Sequence, residues 1–143
     1  MPDVASLKKL IKEVCPAVEL PDIRFAEMEG LTEADLIILI AGAVSSAKYI
    51  VGKPVPADSL DVTDLKITLT QDGFTVNEGK ARDAMGDQWE ALLWLVNGAI
   101  ERGYVIEPGH IMITGAVGHI VPGKPGKYEG DWGELGKVSW TID

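Results

Sequence analysis

Strict alternation of apolar and polar side chains marks the clearest strand in the chain. Residues 65–70, LKITLT, alternate with the period of two that is typical of a β-strand. Asp72-Gly73 follows, and then the short run Phe74–Val76. Two such runs joined by a glycine-containing turn predict a β-hairpin with its tip at Asp72-Gly73.

Residues 87–102 carry the clearest helical pattern. Their large apolar side chains recur at helical spacing and form one stripe, which consists of Trp89, Leu92, Leu93, Val96 and Ile100. Asp87 is placed to cap the first turn, with Glu90 three residues later, and Gly103 is placed to end the helix. The pattern therefore predicts an amphipathic helix that packs on a core.

The rest of the chain mixes shorter helical and extended patterns. Residues 6–14 predict a helix capped by Ser6, with an apolar face of Leu7, Leu10, Ile11 and Val14. Residues 17–25 predict an extended segment, and 32–47 predict a helix that is apolar nearly all round and therefore buried. Further strands are predicted at 48–55, at 110–117 and within 127–142. Together the elements predict an α+β fold.

Composition narrows the class of protein. The length of 143 residues favours one domain over 1–143, and the formal net charge of −9 disfavours nucleic acid and anionic membranes as partners. The single cysteine, Cys15, rules out an internal disulfide. The most apolar run, LIILIAGAV at 36–44, is shorter than the roughly 20 residues that a bilayer requires. We expect a cytoplasmic protein without a membrane span.

Glu19 raises the main chemical question. It lies in CPAVELPDIRF between Val18 and Leu20, and these apolar neighbours predict a partly buried carboxylate that needs a partner. A metal ligand, a catalytic acid or base, and a structural carboxylate all fit this pattern. The chain has no phosphate-binding glycine motif, and no nucleophile elbow surrounds Ser45. The spacing of His110 and His119 disfavours a zinc site and favours solvated or structural roles.

The order of several motifs resembles one enzyme family along nearly the whole chain. The most specific pieces are PAVE at 16–19, the pattern G-D-x-x-x-A-L-x-W-L at 86–95 and PGHIMITGA at 108–116. They resemble the C-terminal portion of the 2-keto-4-pentenoate hydratase and 4-oxalocrotonate decarboxylase family, within the fumarylacetoacetate hydrolase superfamily. In relatives the last motif reads P/T-G-D-I-I-L-T-G-A, so His110 stands where they have Asp.

The resemblance implies a fold and a chemistry. The fold would be a curled mixed β-sheet, a β-roll or pseudo-barrel, with flanking helices. The enzymes are lyases that act on 2-hydroxydienoates or 2-oxo acids from aromatic degradation, with Mg²⁺ or Mn²⁺ held by three carboxylates. Glu19 matches the third ligand, from the P-A-x-E motif. Thr114, Gly115 and Ala116 match residues that border the substrate pocket.

The departures from the family pattern shape the expected function. The upstream segment that supplies Glu-x-Glu and a catalytic lysine is missing from this sequence. The family's A-D-N-A-S reads Ala41-Gly42-Ala43-Val44-Ser45 here, so only Ser45 remains as a candidate substrate contact. One carboxylate holds Mg²⁺ weakly, because the ion prefers near-octahedral oxygen coordination. We therefore expect a degenerate active site whose catalytic residues are unassigned.

Three functions remain open. The first is a small 2-oxo-acid-binding or accessory subunit that forms a homo-oligomer or a complex with a full-length homologue. The second is a metal-dependent hydratase or decarboxylase. The third is a metal-free reaction with Glu19 or His119 as proton carrier. The first is the preferred hypothesis, because Gly42 and Ala43 replace polar groups of the family's active site.

Overall fold

The computed structural model describes residues 1–22, 32, 37 and 46–143. These residues belong to two compact units, one made of Met1–Pro16 and Gly52–Asp143 and the other of Ala17–Val51. The described elements are α1 (Val4–Lys8), β1 (Glu13–Val14), β2 (Ala17–Leu20), β3 (Lys48–Val51), β4 (Val55–Pro56), β5 (Lys66–Gln71), β6 (Phe74–Lys80), α2 (Gln88–Glu101), β7 (Gly126–Asp131) and β8 (Lys137–Ile142). Short 3₁₀ turns lie at Ala81–Asp83 and Gly133–Leu135.

A four-stranded antiparallel sheet forms the centre of the larger unit. Its strand order is β6-β5-β7-β8, so the two hairpins β5–β6 and β7–β8 meet along the β5–β7 pairing. The predicted hairpin is confirmed, with Gln71 opposite Phe74. Asp72 and Gly73 both have positive φ, 50° and 85°, as a type I′ turn requires. This turn twists in the same sense as the strands that it joins.

An aromatic pair stabilises the β7–β8 hairpin. The rings of Tyr128 and Trp140 face each other across the two strands, stacked with their centroids 5.4 Å apart. Tyr128 is only 4% exposed. Its hydroxyl donates to the backbone oxygen of Lys124 at 2.9 Å and accepts from the Lys124 N–H at 3.0 Å. The phenol is therefore buried with its polar end satisfied, as a buried tyrosine requires. The strands predicted within 127–142 are confirmed.

The main core of this unit packs around α2. The predicted helix over 87–102 is confirmed with its cap, because the Asp87 carboxylate accepts from the N–H groups of Trp89 and Glu90. At the other end Gly103 has a φ of 83°, as a glycine after a helix commonly does. The buried cluster on its inner face consists of Leu7, Val62, Trp89, Leu92 and Val96. Ile100, assigned to the same stripe, is 51% exposed, so the apolar face stops short of the last turn.

The first helix is shorter and begins earlier than predicted. Asp3, and not Ser6, is the N-cap of α1: its carboxylate accepts the Ser6 N–H at 2.7 Å. The helix ends at Lys8, because Glu13–Val14 must turn back to pair with Val55–Pro56. Leu7 is consequently buried, whereas Leu10, predicted on the same face, is 68% exposed.

Residues 110–117 are not a strand, contrary to the prediction. They are irregular backbone, and Gly115 and Gly118 have φ of 124° and 74°, values outside the β region for other residues. Met112 packs against the core around α2, which explains why an apolar residue belongs here. The apolar character of the segment thus reflects local packing and not a β-ladder.

The smaller unit contains one described antiparallel pair, β2–β3. The extended prediction for 17–25 is confirmed over Ala17–Leu20, and the strand predicted at 48–55 divides into β3 and β4 around Gly52. Most of the helix predicted at 32–47 lies outside the described residues. Ile37, which is described, is helical but 63% exposed, so the predicted all-round burial is wrong at that position.

The fold is therefore a mixture of helices and strands, with antiparallel pairings between all strands of the described ranges. This agrees with the α+β expectation. Within the same ranges no helix has the length and the apolar character that a bilayer crossing demands.

Candidate functional site

Thr114 is held in place by a glutamine at the start of α2. Its hydroxyl donates to Gln88 Oε1 at 2.5 Å. The Gln88 Nε2 group donates in turn to the backbone oxygen of Ala81, so both ends of the amide are engaged. Gln88 itself is the first residue of α2, directly after the capping Asp87. The cap therefore positions Gln88, and Gln88 positions the turn that begins at Thr114.

The two residues after Thr114 lie in irregular backbone that leads into a bend at Val117-Gly118, and we call 114–116 the Thr114–Ala116 turn. Gly115 has a φ of 124°, and a Cβ built on it would meet no atom of the described residues within 4 Å. Gly115 and Ala116 are both exposed. In the described part of the chain their backbone N–H groups have no hydrogen-bond partner. Adjacent backbone N–H groups that point to the same side can donate to one anion.

Asn77 fixes the far end of this segment. Its Nδ2 group donates to the backbone oxygens of Val117 and His119 at 3.0 and 3.1 Å, and its Oδ1 accepts the His119 N–H at 3.2 Å. Asn77 lies on β6, so the sheet carries the clamp. The turn at 114–116 is thus tied at one end to α2 and at the other to the sheet.

Both histidines are exposed, and one has a structural role. His110 Nδ1 accepts the Glu107 N–H at 3.1 Å, and the His110 N–H donates to the Glu107 oxygen at 3.1 Å. Gly109, with a φ of 94°, completes this tight turn. An aspartate in the position of His110 would offer the same kind of acceptor. The structural reading of His110 is confirmed.

Glu19 is an exposed residue, so the predicted burial of its carboxylate is wrong. It lies on β2 opposite Tyr49, which is itself 57% exposed. Val18 and Leu20 are half-buried. Side chains alternate between the two faces of a strand, and apolar neighbours in sequence therefore say little about the face on which Glu19 lies.

The predicted site residues fall into different parts of the chain. Thr114, Gly115 and Ala116 belong to the larger unit, and Glu19 belongs to the smaller one. Ser45, with Gly42 and Ala43, lies outside the described residues. Among the side chains of residues 1–22, 32, 37 and 46–143, no three His, Cys, Asp or Glu groups converge on a point where a metal could sit.

A cavity of about 640 Å³ lies elsewhere in the larger unit. Its charged lining comes from Lys8, Lys12, Asp58, Asp61 and Asp87, and Trp89 forms part of its wall. Several of these groups are already engaged: Lys8 Nζ lies 4.8 Å from the Trp89 ring centre, and Asp87 caps α2. The size suits a small ligand, but the described lining offers no uncommitted cationic side chain, because Lys12 Nζ also lies 3.9 Å from Glu13 Oε1. We therefore keep the Thr114–Ala116 turn as the candidate site.

Comparison with known proteins shows what the chain is similar to. The 2-keto-4-pentenoate hydratase of Paraburkholderia phymatum is 34% identical over 101 residues, which are 69% of this chain and 38% of that protein. The 4-oxalocrotonate decarboxylase of Pseudomonas putida is 30% identical over 132 residues, 88% of this chain and 47% of that protein. This chain is a homologue of those enzymes. No protein-family model matches it.

Two solved structures of a 4-oxalocrotonate decarboxylase have a fold similar to that of this chain. The 4-oxalocrotonate decarboxylase from Pseudomonas putida G7, complexed with magnesium and adipate, aligns with a TM-score of 0.83 at 26% identity over 95% of this chain. The same enzyme complexed with calcium and acetate aligns with a TM-score of 0.80. The chain covers 51% and 50% of those structures, so it spans about half of the relatives that it matches.

Two residues of the candidate site were missed from the sequence. Gln88 was passed over because its partner Thr114 is 26 residues away, and Asn77 because its partner His119 is 42 residues away. A weak signal existed for Asn77, since asparagine is depleted in strands and an Asn in β6 implies a side-chain hydrogen bond. Gln88 gave no comparable signal.

Proposed function

We propose that this chain binds a small carboxylic acid of the 2-oxo-acid class at the Thr114–Ala116 turn and acts as a binding or accessory subunit with a degenerate active site. Homology to hydratases and decarboxylases supports the ligand class. A solved relative was crystallised with the dicarboxylate adipate, and the same enzyme with acetate.

The open turn carries the proposal. A carboxylate at this position takes hydrogen bonds from the N–H groups of Gly115 and Ala116, which are exposed. Such charge-assisted bonds are stronger than neutral ones. Thr114, whose hydroxyl already donates to Gln88, fixes the direction of those two groups and does not itself donate to the ligand.

The proposal assigns a divalent metal only a minor role. Glu19 can supply one oxygen ligand, and Mg²⁺ prefers about six in octahedral geometry. The described side chains provide no cluster of three ligands, so the donor set in that part of the chain does not fit an anchored ion. We expect Mg²⁺ or Mn²⁺ to bind loosely unless a second chain contributes ligands, and we derive no catalytic step through a metal.

Loss of catalysis follows from the residues at 42 and 43. Gly42 and Ala43 stand where the family motif A-D-N-A-S has an acidic and an amide side chain. Neither glycine nor alanine can exchange a proton or orient a substrate oxygen. The second candidate, a metal-dependent hydratase or decarboxylase, is favoured by the names of the homologues.

The wider proposals follow the same resemblance. Residues 1–143 form one fumarylacetoacetate-hydrolase-like domain, and its sheet curls into a roll. The protein is cytoplasmic and works as a homo-oligomer or in complex with a full-length homologue. The consecutive residues Tyr104, Val105 and Ile106 expose large apolar side chains, and this supports association, since apolar surface on soluble proteins commonly marks interaction sites.

Isothermal titration of the 143-residue chain with oxalate, a mimic of a 2-oxo acid, tests the proposal. We expect binding in the range of about 0.1–10 mM that changes little when EDTA replaces Mg²⁺. Thr114→Val removes the hydroxyl that anchors the turn and should weaken binding about fivefold to tenfold. Thr75→Val is the matched control, because Thr75 is an exposed threonine on β6.

The outcomes separate the candidates clearly. Absence of oxalate binding at about 10 mM, with and without Mg²⁺, would contradict the proposal. Equal affinities for the Thr114 and Thr75 variants would remove the turn from the site. Mg²⁺-dependent turnover of a 2-hydroxydienoate by the purified chain would favour the lyase instead.

A further inference from the structure

One ridge of α2 carries an exposed aromatic side chain between two exposed charged ones. Residues spaced four apart on a helix line up as a ridge, and this one consists of Glu90, Trp94 and Arg102, which are exposed, and of Gly98, which is half-buried beside the Arg102 side chain. We call it the α2 ridge. Trp94 is 64% exposed, although Trp89 on the opposite side of the helix is only 7% exposed. A large aromatic side chain therefore projects into solvent from a helix whose other face forms the core.

The α2 ridge has a notch one turn after its largest side chain. Among the described residues, a Cβ built on Gly98 would meet only the Nη1 atom of Arg102, at 3.0 Å. That atom is the far end of a flexible side chain, so the monomer itself tolerates a larger residue at 98. Glycine in a helix interior costs stability relative to alanine. The described part of the monomer gives no reason for the notch.

Opposite charges lie at the two ends of the α2 ridge. Glu90 is in the first turn, and Arg102 follows the last helical residue. The Arg102 Nη1 group donates to the Gly98 oxygen at 2.8 Å, which places the guanidinium beside the notch. From its N-terminal end, the ridge therefore consists of an acidic side chain, an aromatic side chain, the glycine notch and a basic side chain.

The order of these side chains is self-complementary when a second copy of the α2 ridge runs antiparallel to the first. Ridges of residues four apart become parallel when two helices cross at about −50°, the commonest helix packing. Around a two-fold axis between positions 94 and 98, Trp94 would meet Gly98 of the partner subunit. Glu90 would then meet Arg102 of the partner subunit, and that guanidinium would also reach the face of the Trp94 ring. Each contact occurs twice, as a two-fold interface requires.

We propose that the α2 ridge is the surface through which two copies of this chain associate. Burial of two Trp94 side chains would remove about 300 Å² from solvent, and stable interfaces bury about 1,200–2,000 Å² in total. The ridge alone thus predicts a weak, transient dimer. The proposal does not depend on carboxylate binding, because the Thr114–Ala116 turn takes no part in it.

Sedimentation velocity of the ligand-free chain, from about 1 to about 500 µM, tests the association. We expect the sedimentation coefficient to rise with concentration as dimer forms. Trp94→Ala should weaken association at least about thirtyfold, the effect of losing a central aromatic anchor. Phe74→Ala is the matched control, since Phe74 is 77% exposed but lies at the hairpin turn.

Charge reversal tests the antiparallel geometry. Glu90→Lys and Arg102→Glu should each weaken the dimer, because each places like charges opposite one another twice. The double variant restores opposite charges and should recover most of the affinity. Gly98→Leu should abolish the dimer by filling the notch while raising the thermal stability of the monomer, which separates loss of the interface from loss of the fold.

Several results would overturn the proposal. A chain that stays monomeric to about 500 µM has no such interface. A dimer that survives Gly98→Leu, or a double charge variant as weak as the single ones, would place the interface elsewhere. A complex that forms only with a full-length homologue would assign the α2 ridge to that partner and not to a second copy.

Discussion

Replacement of Asp87 should show most clearly how the N-terminus of α2 is stabilised. Its Oδ1 accepts the Trp89 N–H at 2.7 Å and the Glu90 N–H at 3.1 Å, and its Oδ2 accepts the Thr63 hydroxyl at 3.3 Å. Asp87→Ala leaves the first turn of α2 without its cap. Loss of such a cap costs about 1–2 kcal/mol, which corresponds to a fall in Tm of about 3–8 °C for a chain of this size.

Asp87→Asn is the control, because asparagine caps as well as aspartate but carries no charge. Differential scanning calorimetry at neutral pH should give the alanine variant the lower Tm by several degrees, with the asparagine variant close to wild type. Equal losses in both variants would mean that charge, and not the capping hydrogen bonds, stabilises the helix. Unchanged stability in the alanine variant would refute the capping role altogether.

The difference in Tm between wild type and Asp87→Asn should also depend on pH, in a direction that follows from the pKa of Asp87. Partial burial raises the pKa of Asp87, but hydrogen bonds from Glu90, Trp89 and Thr63 outweigh it, with help from the charge of Lys8, and lower the pKa below the usual 3.8. A carboxyl whose folded pKa is lowered stabilises the fold above its unfolded pKa. That stabilisation is lost as the pH falls through the folded pKa. The difference in Tm between wild type and Asp87→Asn should therefore be constant above about pH 5 and change only in more acidic solution.

Three further predictions concern the core, the loop clamp and the sheet. Leu92→Ala should lower the free energy of unfolding by about 2–5 kcal/mol in urea titrations, because Leu92 is only 8% exposed in the core. Trp94→Ala, on the outer face of the helix, should change that free energy little. Similar losses in the two variants would contradict the burial of Leu92. Asn77→Ala should speed hydrogen exchange at the His119 amide about tenfold or more, because that amide donates to Asn77. Asn97→Ala is the control: its side chain bonds Met1, so exchange at His119 should not change. Tyr128→Phe should lower the free energy of unfolding by about 1–3 kcal/mol, since it leaves the Lys124 N–H and oxygen without their partner. A smaller loss in thermal unfolding would show that solvent replaces the hydroxyl.

The sequence predicted best the elements whose causes lie close together along the chain. The β5–β6 hairpin needs alternation and two turn residues that tolerate positive φ, and all of these lie within 65–76. The α2 helix needs a stripe of apolar residues, Asp87 before it and Gly103 after it. Local backbone preferences and burial agree in both elements, so pattern and structure coincide.

The predictions failed where a distant partner decides the outcome. The strand at 110–117 was inferred from apolar residues, yet a strand exists only when another strand pairs with it, and Asn77 holds part of this segment through its side chain instead. The burial of Glu19 was inferred from its neighbours, which lie on the other face of β2. The pairing of Thr114 with Gln88 could not be predicted, because neither residue signals the other across the intervening chain.

The β5–β7 pairing has a consequence for the order of folding. The hairpins β5–β6 and β7–β8 close short loops and can form early, whereas residues such as Gln71 and Tyr128 must meet across a much longer stretch of chain. The entropy lost in closing that loop must be repaid before the sheet is complete. Because α2 lies inside the loop, formation of the helix shortens the flexible chain that remains to be closed. The rate-limiting step that we expect is the union of two preformed hairpins, with α2 as the element that brings them within reach.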